Sequence, residues 1–122
     1  VITPQSVVDR VCAPLAAAEV RTVRAGDAPV TPCAVVGMPA FEWKSYAPVL
    51  DPSELTCRVV LLAGAGETTV DELGDLLTRA VTALDAQDWC SLRRAGPVIY
   101  QAAGGPTPAY ELELELDPEE DW

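Results

Sequence analysis

Residues 56–84 read TCRVVLLAGAGETTVDELGDLLTRAVTAL: an unbroken apolar run, a short glycine-bearing break, and then a change of period. Thr56 to Ala63 is the most apolar run of the chain and has the length of a buried strand, so it is expected at the centre of a sheet. Gly64 to Glu67 turns the chain. Thr69 and Glu72 have the spacing of a capping box at a helix start. Val70, Leu73, Leu76, Leu77, Ala80, Val81 and Leu84 then recur every three or four residues, which is the apolar stripe of an amphipathic helix. Asp75 and Arg79 form an i,i+4 pair on its wet side. Val59, Leu61, Leu73, Leu77, Val81 and Leu84 are the expected core.

Working toward the N-terminus, Phe41, Trp43 and Ser45 fall on one side of an extended segment, with Glu42 and Lys44 on the other. Tyr46 to Ser53, with Pro48 and Pro52, reads as a surface loop. Cys33 to Gly37 is a short β-prone run bounded by Pro32 and Pro39. Residues 26–29 are a loop, and Val20 to Arg24 alternates as a half-buried strand does. Thr3-Pro4 pairs an N-cap with proline at the first helical position, and Val7, Val8, Val11, Cys12 and Leu15 follow at helical spacing. Pro14 cannot donate to the helical ladder, so this helix is expected to kink or stop near Ala13, with Ala16 to Ala18 as the place where it would resume.

Toward the C-terminus, Trp89, Cys90 and Leu92 precede a break at Gly96-Pro97. Val98 to Ala102 reads as a strand, Gly104 to Pro108 as a turn, and Ala109 to Leu116 as the returning strand. In that strand Tyr110, Leu112, Leu114 and Leu116 share one face, while Glu111, Glu113 and Glu115 share the other. Asp117 to Trp122 reads as an acidic tail. The order of elements predicts an α+β domain: a small mixed or antiparallel β-sheet, with an N-terminal helix and one long central helix packed on it. Residues 1–122 read as a single domain, with no internal repeat.

The composition suits a globular chain, with 49% hydrophobic and 22% charged residues in 122. The net charge of −11 repels nucleic-acid phosphates and anionic membrane surfaces, so any contact with DNA is expected to be passive. Seven acids and no base lie between Glu111 and Trp122. Seven Arg against one Lys, with abundant Ala, Val, Gly and Pro, suggests GC-rich coding DNA. No apolar run reaches the roughly 18 residues of a membrane span. The N-terminus lacks the basic-then-apolar layout of a secretion signal.

Histidine is absent, which removes the commonest general base and every Ser-His or Cys-His nucleophile arrangement. Cys12, Cys33, Cys57 and Cys90 are widely spaced without a C-x-x-C pair, so a structural zinc site is not expected and buried reduced thiols are. Gly64-Ala65-Gly66 lies between a strand and a helix as a phosphate-binding turn does, but its G-x-G lacks the third glycine and no Walker motif exists; a tight β-to-α turn accounts for it. Glu111, Glu113 and Glu115 stand about 7 Å apart along a strand, side by side rather than converging on a cation. No cofactor or metal is expected, nor any enzymatic activity. Trp89 reads as a core plug, Trp43 as core or interface, and Trp122 as an exposed partner contact.

The whole chain resembles the tail-terminator proteins of long-tailed, siphovirus-type bacteriophages. The likeness lies in the opening helix with Glu19-Val-Arg-Thr-Val-Arg24, and in Thr31-Pro-Cys-Ala-Val-Val-Gly-Met-Pro39 followed by Phe41-Glu-Trp43. It continues in Cys57-Arg-Val-Val-Leu-Leu-Ala63 leading to the helix Val70 to Leu84, and in the closing Gly-Pro, strand, Pro-Ala-Tyr110-Glu-Leu-Glu-Leu. The resemblance implies a homohexameric ring in the virion neck, assembled in the host bacterial cytoplasm. Such a ring caps the tail tube, ends its polymerisation and meets the head connector or stopper, with DNA passing through its lumen. Trp43, Lys44, Tyr46, Arg58, Arg93, Arg94, Glu111, Glu113, Glu115 and Trp122 are the candidate interface or lumen residues. The alternatives are another neck protein, such as a head-completion or connector adaptor, and a small secreted binding module stapled by disulfides. Mass spectrometry after alkylation of the denatured, unreduced chain separates the last of these: four free thiols are expected, and two intact bridges would favour secretion.

Overall fold

The computed structural model describes residues 2–43, 52–64, 68–102 and 105–122. Along the chain run α1 (Pro4–Ala17), β1 (Thr22–Arg24), β2 (Cys33–Val36), β3 (Ala40–Glu42), β4 (Glu54–Leu62), α2 (Thr69–Asp85), β5 (Cys90–Ala102) and β6 (Gly105–Leu116). The fold is α+β, and among the described residues it comprises two helices and a six-stranded mixed sheet. The helices have 14 and 17 residues, so α2 is one of two comparable helices rather than a single dominant one.

The apolar run does become the central strand. The sheet order is β1-β2-β4-β6-β5, with β3 also on β4. Among the described residues only β1 and β2 pair in parallel. Because β6 pairs with Leu55–Leu62, β2 and β3 must share the opposite edge of β4, β2 beside Val59–Leu62 and β3 beside Glu54–Thr56. Gly37 joins the two: its N–H donates to the Arg58 carbonyl at 2.8 Å, and a Cβ there would come within 3.1 Å of that oxygen.

Parity along β4 builds the core. Leu55, Cys57, Val59 and Leu61 point to one face, where Leu112, Leu114 and Leu116 of β6 join them, all buried. Val7, Val11 and Leu15 of α1 and Leu73, Leu76, Ala80 and Leu84 of α2 close this face, and the two helices touch. Each fully buried leucine contributes roughly 1.5–3 kcal/mol relative to an exposed one. Trp89 is buried in the same core, as expected. Leu77 and Val81 are only half-buried at its margin, and Val70 is 80% exposed. The true helix stripe is narrower than the hydrophobic pattern, because 3.6-residue periodicity turns the outer members of a wide stripe off the contact line.

Pro14 does not stop α1, which continues to Ala17. Val11 and Leu15, on either side of it, are both fully buried, and the anchored last turn tolerates the loss of one ladder bond. The helix ends instead at Glu19, whose φ of 62° is left-handed. Glu19 N–H donates to Ala16 O at 3.0 Å and Val20 N–H to Leu15 O at 2.9 Å, a Schellman closure with glutamate where glycine is usual. At the other end, Thr3 and Ser6 form a reciprocal capping box, with both bonds at 3.1 Å.

The capping box expected at Thr69 and Glu72 does not form. Thr68 is the N-cap and makes no side-chain cap bond, because the helix begins at Thr69 itself. Thr69 Oγ1 instead donates to Gly64 O at 2.7 Å, and Glu72 Oε2 accepts from Gly64 N–H at 3.1 Å. The pair thus fastens the helix start to the end of the β4 segment. Ala65 to Glu67 lie outside the described residues, so the reading of that turn stands as an expectation.

The closing hairpin is longer than its sequence suggested. Gly96 and Pro97 lie inside β5 rather than breaking it. β5 is an edge strand, so the missing N–H of Pro97 can face away from the ladder. Residue pairs from Ile99↔Pro108 to Ala102↔Gly105 extend past Ala109, the last β6 residue opposite β4. At the N-terminal side, the strand expected over Val20 to Arg24 narrows to Thr22–Arg24.

Truncating Leu112, fully buried between β4 and the helices, to Ala should cost about 2–5 kcal/mol. The same truncation at half-buried Leu77 should cost about 1 kcal/mol. Urea unfolding of the two variants measures the difference, and equal losses would contradict this packing.

Candidate functional site

The open face of the sheet, opposite the helices, gathers most of the candidate residues. β6 presents Glu111, Glu113 and Glu115 there, and β4 presents Arg58 between them. Arg58 Nε stands 3.8 Å from Glu111 and its Nη2 3.6 Å from Glu113. β5 reaches the same face through a register shift between Leu92 and Arg94, which leaves Arg93 as an extra residue. A bulge of this kind re-aims side chains. Arg93 Nε lies 3.6 Å from Glu115, while Arg94 stands opposite Glu113 in the ladder and lays its guanidinium over Gly96. The Arg58 side chain is 66% exposed, so each ion pair is worth roughly 0–1 kcal/mol.

Three arginines thus interleave three glutamates within one copy of the chain. The face is locally balanced rather than uniformly acidic, and the glutamates already have cationic neighbours before any partner arrives. Among the described residues no group of acids or cysteines is arranged to hold a metal ion.

The acidic C-terminal segment is tied to the rest of the chain. Residues 117–122 fold back onto α1 and the start of β5. Asp117 N–H donates to Trp89 O at 2.9 Å, and Trp122 Nε1 donates to Asp117 O at 2.8 Å. Arg10 forms an ion pair with Glu120 at 2.7 Å and also donates to the Asp121 carbonyl. Its guanidinium carbon lies 5.4 Å from the ring centre of Trp89 and 5.3 Å from that of Trp122, and the two rings meet edge to face at 5.3 Å. Trp122 therefore packs, half-buried, against the core. Local pattern could not show this, because Arg10 and Glu120 are 110 residues apart.

Trp43 is 51% exposed and stacks on Phe41 with ring centres 6.2 Å apart. Lys44 and Tyr46 lie outside the described residues. Arg24 pairs with Asp9 beside α1.

No protein-family model matches the chain, and no curated protein matches it. The surface itself must therefore supply the functional reading. Two open apolar grooves mark it. One, of about 450 Å³, lies between the start of α2 (Val70, Leu73) and the helix-side face of the hairpin (Pro97, Ile99, Pro108, Tyr110). The other, of about 620 Å³, lies between the start of α1 (Thr3, Pro4, Val8) and Val36 and Met38 at the C-terminal end of β2. Ile99 is 62% exposed and Met38 66%. Neither residue is among those singled out from the sequence pattern. The available signal was charge: the two longest stretches without Asp, Glu, Lys or Arg are 28–41 and 95–110, and each contains one of them.

All four cysteines are free and buried. Burial pushes the Cys57 thiol up to about 12 and Cys90 to about 11, from 9.0, and raises Cys12 and Cys33 as well. In the folded chain they remain protonated, poor nucleophiles at neutral pH. The unfolded chain loses these protons near its ordinary thiol pKa, while the folded chain keeps them. Stability contributed by the neutral thiols is therefore full below pH 9.0 and declines as pH rises toward 12. Urea midpoints should fall across that window, and Cys57→Ala should show a shallower fall. Identical slopes would contradict a buried, neutral Cys57.

Proposed function

We propose that this chain is a ring-forming assembly protein of a bacteriophage neck, of the tail-terminator type. It caps the tail tube, ends its polymerisation and joins it to the head connector or stopper. The observation that carries the assembly reading is the hairpin overhang. None of its described residues, 99–101 and 105–108, is buried. Apart from Tyr100, which packs on the small buried cluster of Cys33, Val35, Leu62 and Ala109, the overhang has no core contact, and a two-stranded ribbon is marginal in water by itself, so it is suited to contacts with another molecule. The hexameric ring, the virion location and the tail-tube partner come from the family resemblance carried by the residues quoted above.

The electrostatics agree with a passage for DNA that does not grip it. A net charge of −11 disfavours phosphate binding, and the balanced Arg58, Arg93, Arg94 and Glu111, Glu113, Glu115 face offers no cationic track. In an assembled ring that face suits either the lumen or a contact between subunits. No membrane partner is part of the reading, and among the described residues no helix is long and apolar enough to cross one.

The test is tube length. Tail-tube protein polymerising alone should give long tubes of variable length by electron microscopy. Adding this chain should stop growth and leave a ring at one tube end. Tubes that grow unchanged, with no chain bound, would defeat the terminator reading.

A further inference from the structure

We infer that copies of this chain join head to tail, the overhanging ribbon of one copy seated in the groove between α1 and the C-terminal end of β2 of the next. The inference rests on the assembly reading and names its contact surfaces.

Charge selects the occupant. At −11, two copies repel each other wherever their acids come close. At physiological ionic strength that repulsion is screened beyond about 8 Å, so what matters is the charge at the contact itself. A basic partner would be drawn to the acids of residues 111–121. A partner of the same sign is admitted only where charge is missing, and the cores of protein interfaces are depleted of charge in the same way. The chain provides two long charge-free stretches, 28–41 and 95–110. They contain Val30, Met38 and Ile99, three of the exposed large hydrophobic residues. The partner whose repulsion those stretches relieve is a second copy.

Topology then selects the mode. The stretch 95–110 supplies the described ribbon residues 99–102 and 105–108 on the β5 side, and 28–41 contains β2 on the other side of β4. Three strand spacings, about 14 Å, separate β5 from β2. An isologous contact uses one patch twice, whereas two unlike patches set apart across the sheet are what a head-to-tail contact needs. The shapes differ accordingly. One is the hairpin end with exposed Ile99 beside Pro108, bordering the groove against α2; the other is a recess lined by Pro4, Val8, Val36 and Met38. Arg24, which also lines the recess, is already paired with Asp9.

The experiment uses Ile99→Glu and Met38→Glu, both at exposed positions, with circular dichroism and thermal melts to verify folding and Ile99→Ser as a milder ribbon variant. Analytical ultracentrifugation and native mass spectrometry should show wild-type oligomers and monomeric single variants. An equimolar mixture of Ile99→Glu and Met38→Glu should recover dimers and nothing larger, because it contains one intact ribbon and one intact groove per pair. If Met38→Glu assembles normally while Ile99→Glu does not, the ribbon meets a different surface and the inference fails. If both variants form rings as wild type does, the surfaces are wrong and the assembly reading survives. Ribbon variants that assemble but no longer bind tail tubes would assign the ribbon to the tube protein instead. A wild-type chain that stays monomeric at its highest soluble concentration and on tail tubes would overturn both readings.

Discussion

The register between β4 and β6 sets Val59 opposite Leu112 and Arg58 opposite Glu113, and the other layers of the molecule follow from it. Strand side chains alternate, so a slip of one residue would exchange the two faces completely. It would carry Arg58 and three glutamates under the helices and put a column of leucines in water. Burying those charges without partners costs far more than any local preference could return. The same parity governs β5, where a single bulge at Arg93 keeps Leu92 and Ala95 on the core side while both neighbouring arginines reach the open face. The ion pairs there are weak individually. Their role is to make the wrong register worse, not to hold the right one together.

Edge position explains the prolines that interrupt an otherwise strand-like C-terminal half. Pro97 lies on the outermost strand, and Pro106 and Pro108 lie in the part of β6 that has already run past β4. None of them removes a bond from the centre of the ladder. Prolines also guard an open edge against indiscriminate pairing. The hairpin can therefore project as a ribbon with apolar faces without becoming a template for unlimited strand addition, a property suited to an element that contacts a defined partner.

The C-terminus shows how one cation organises an acidic segment. Residues 117–122 hold four acids, and their self-repulsion alone would favour a loose tail. Arg10 counters it by pairing with Glu120 while its flat guanidinium lies near two indole rings. Arginine suits this site better than lysine would, because a planar cation can face aromatic rings and still donate in its own plane. Trp122 is thereby held half-buried against the core and covers part of Trp89.

Local pattern determined a good deal here: the α+β class, the central strand over 56–63, the phase of most of α2, the N-cap at Thr3 and the inward leucines of β6. Each rests on neighbours within a few residues, where period and propensity act directly. The misplaced capping box at Thr69 was a matter of one residue, since Thr68 and Thr69 offer the same chemistry and the tie to Gly64 decides between them. The persistence of α1 through Pro14, the continuation of β5 through Gly96-Pro97 and the docking of Trp122 were decided by tertiary structure. Each depends on an energy supplied from far along the chain: buried neighbours that anchor a weakened turn, an edge position that spares a missing N–H, and an arginine more than a hundred residues away. The interleaving of Arg58, Arg93 and Arg94 with the β6 glutamates belongs with these. The alternation of the glutamates was legible, but which cations stand beside them depends on strand order and on one bulge, and neither is a local property.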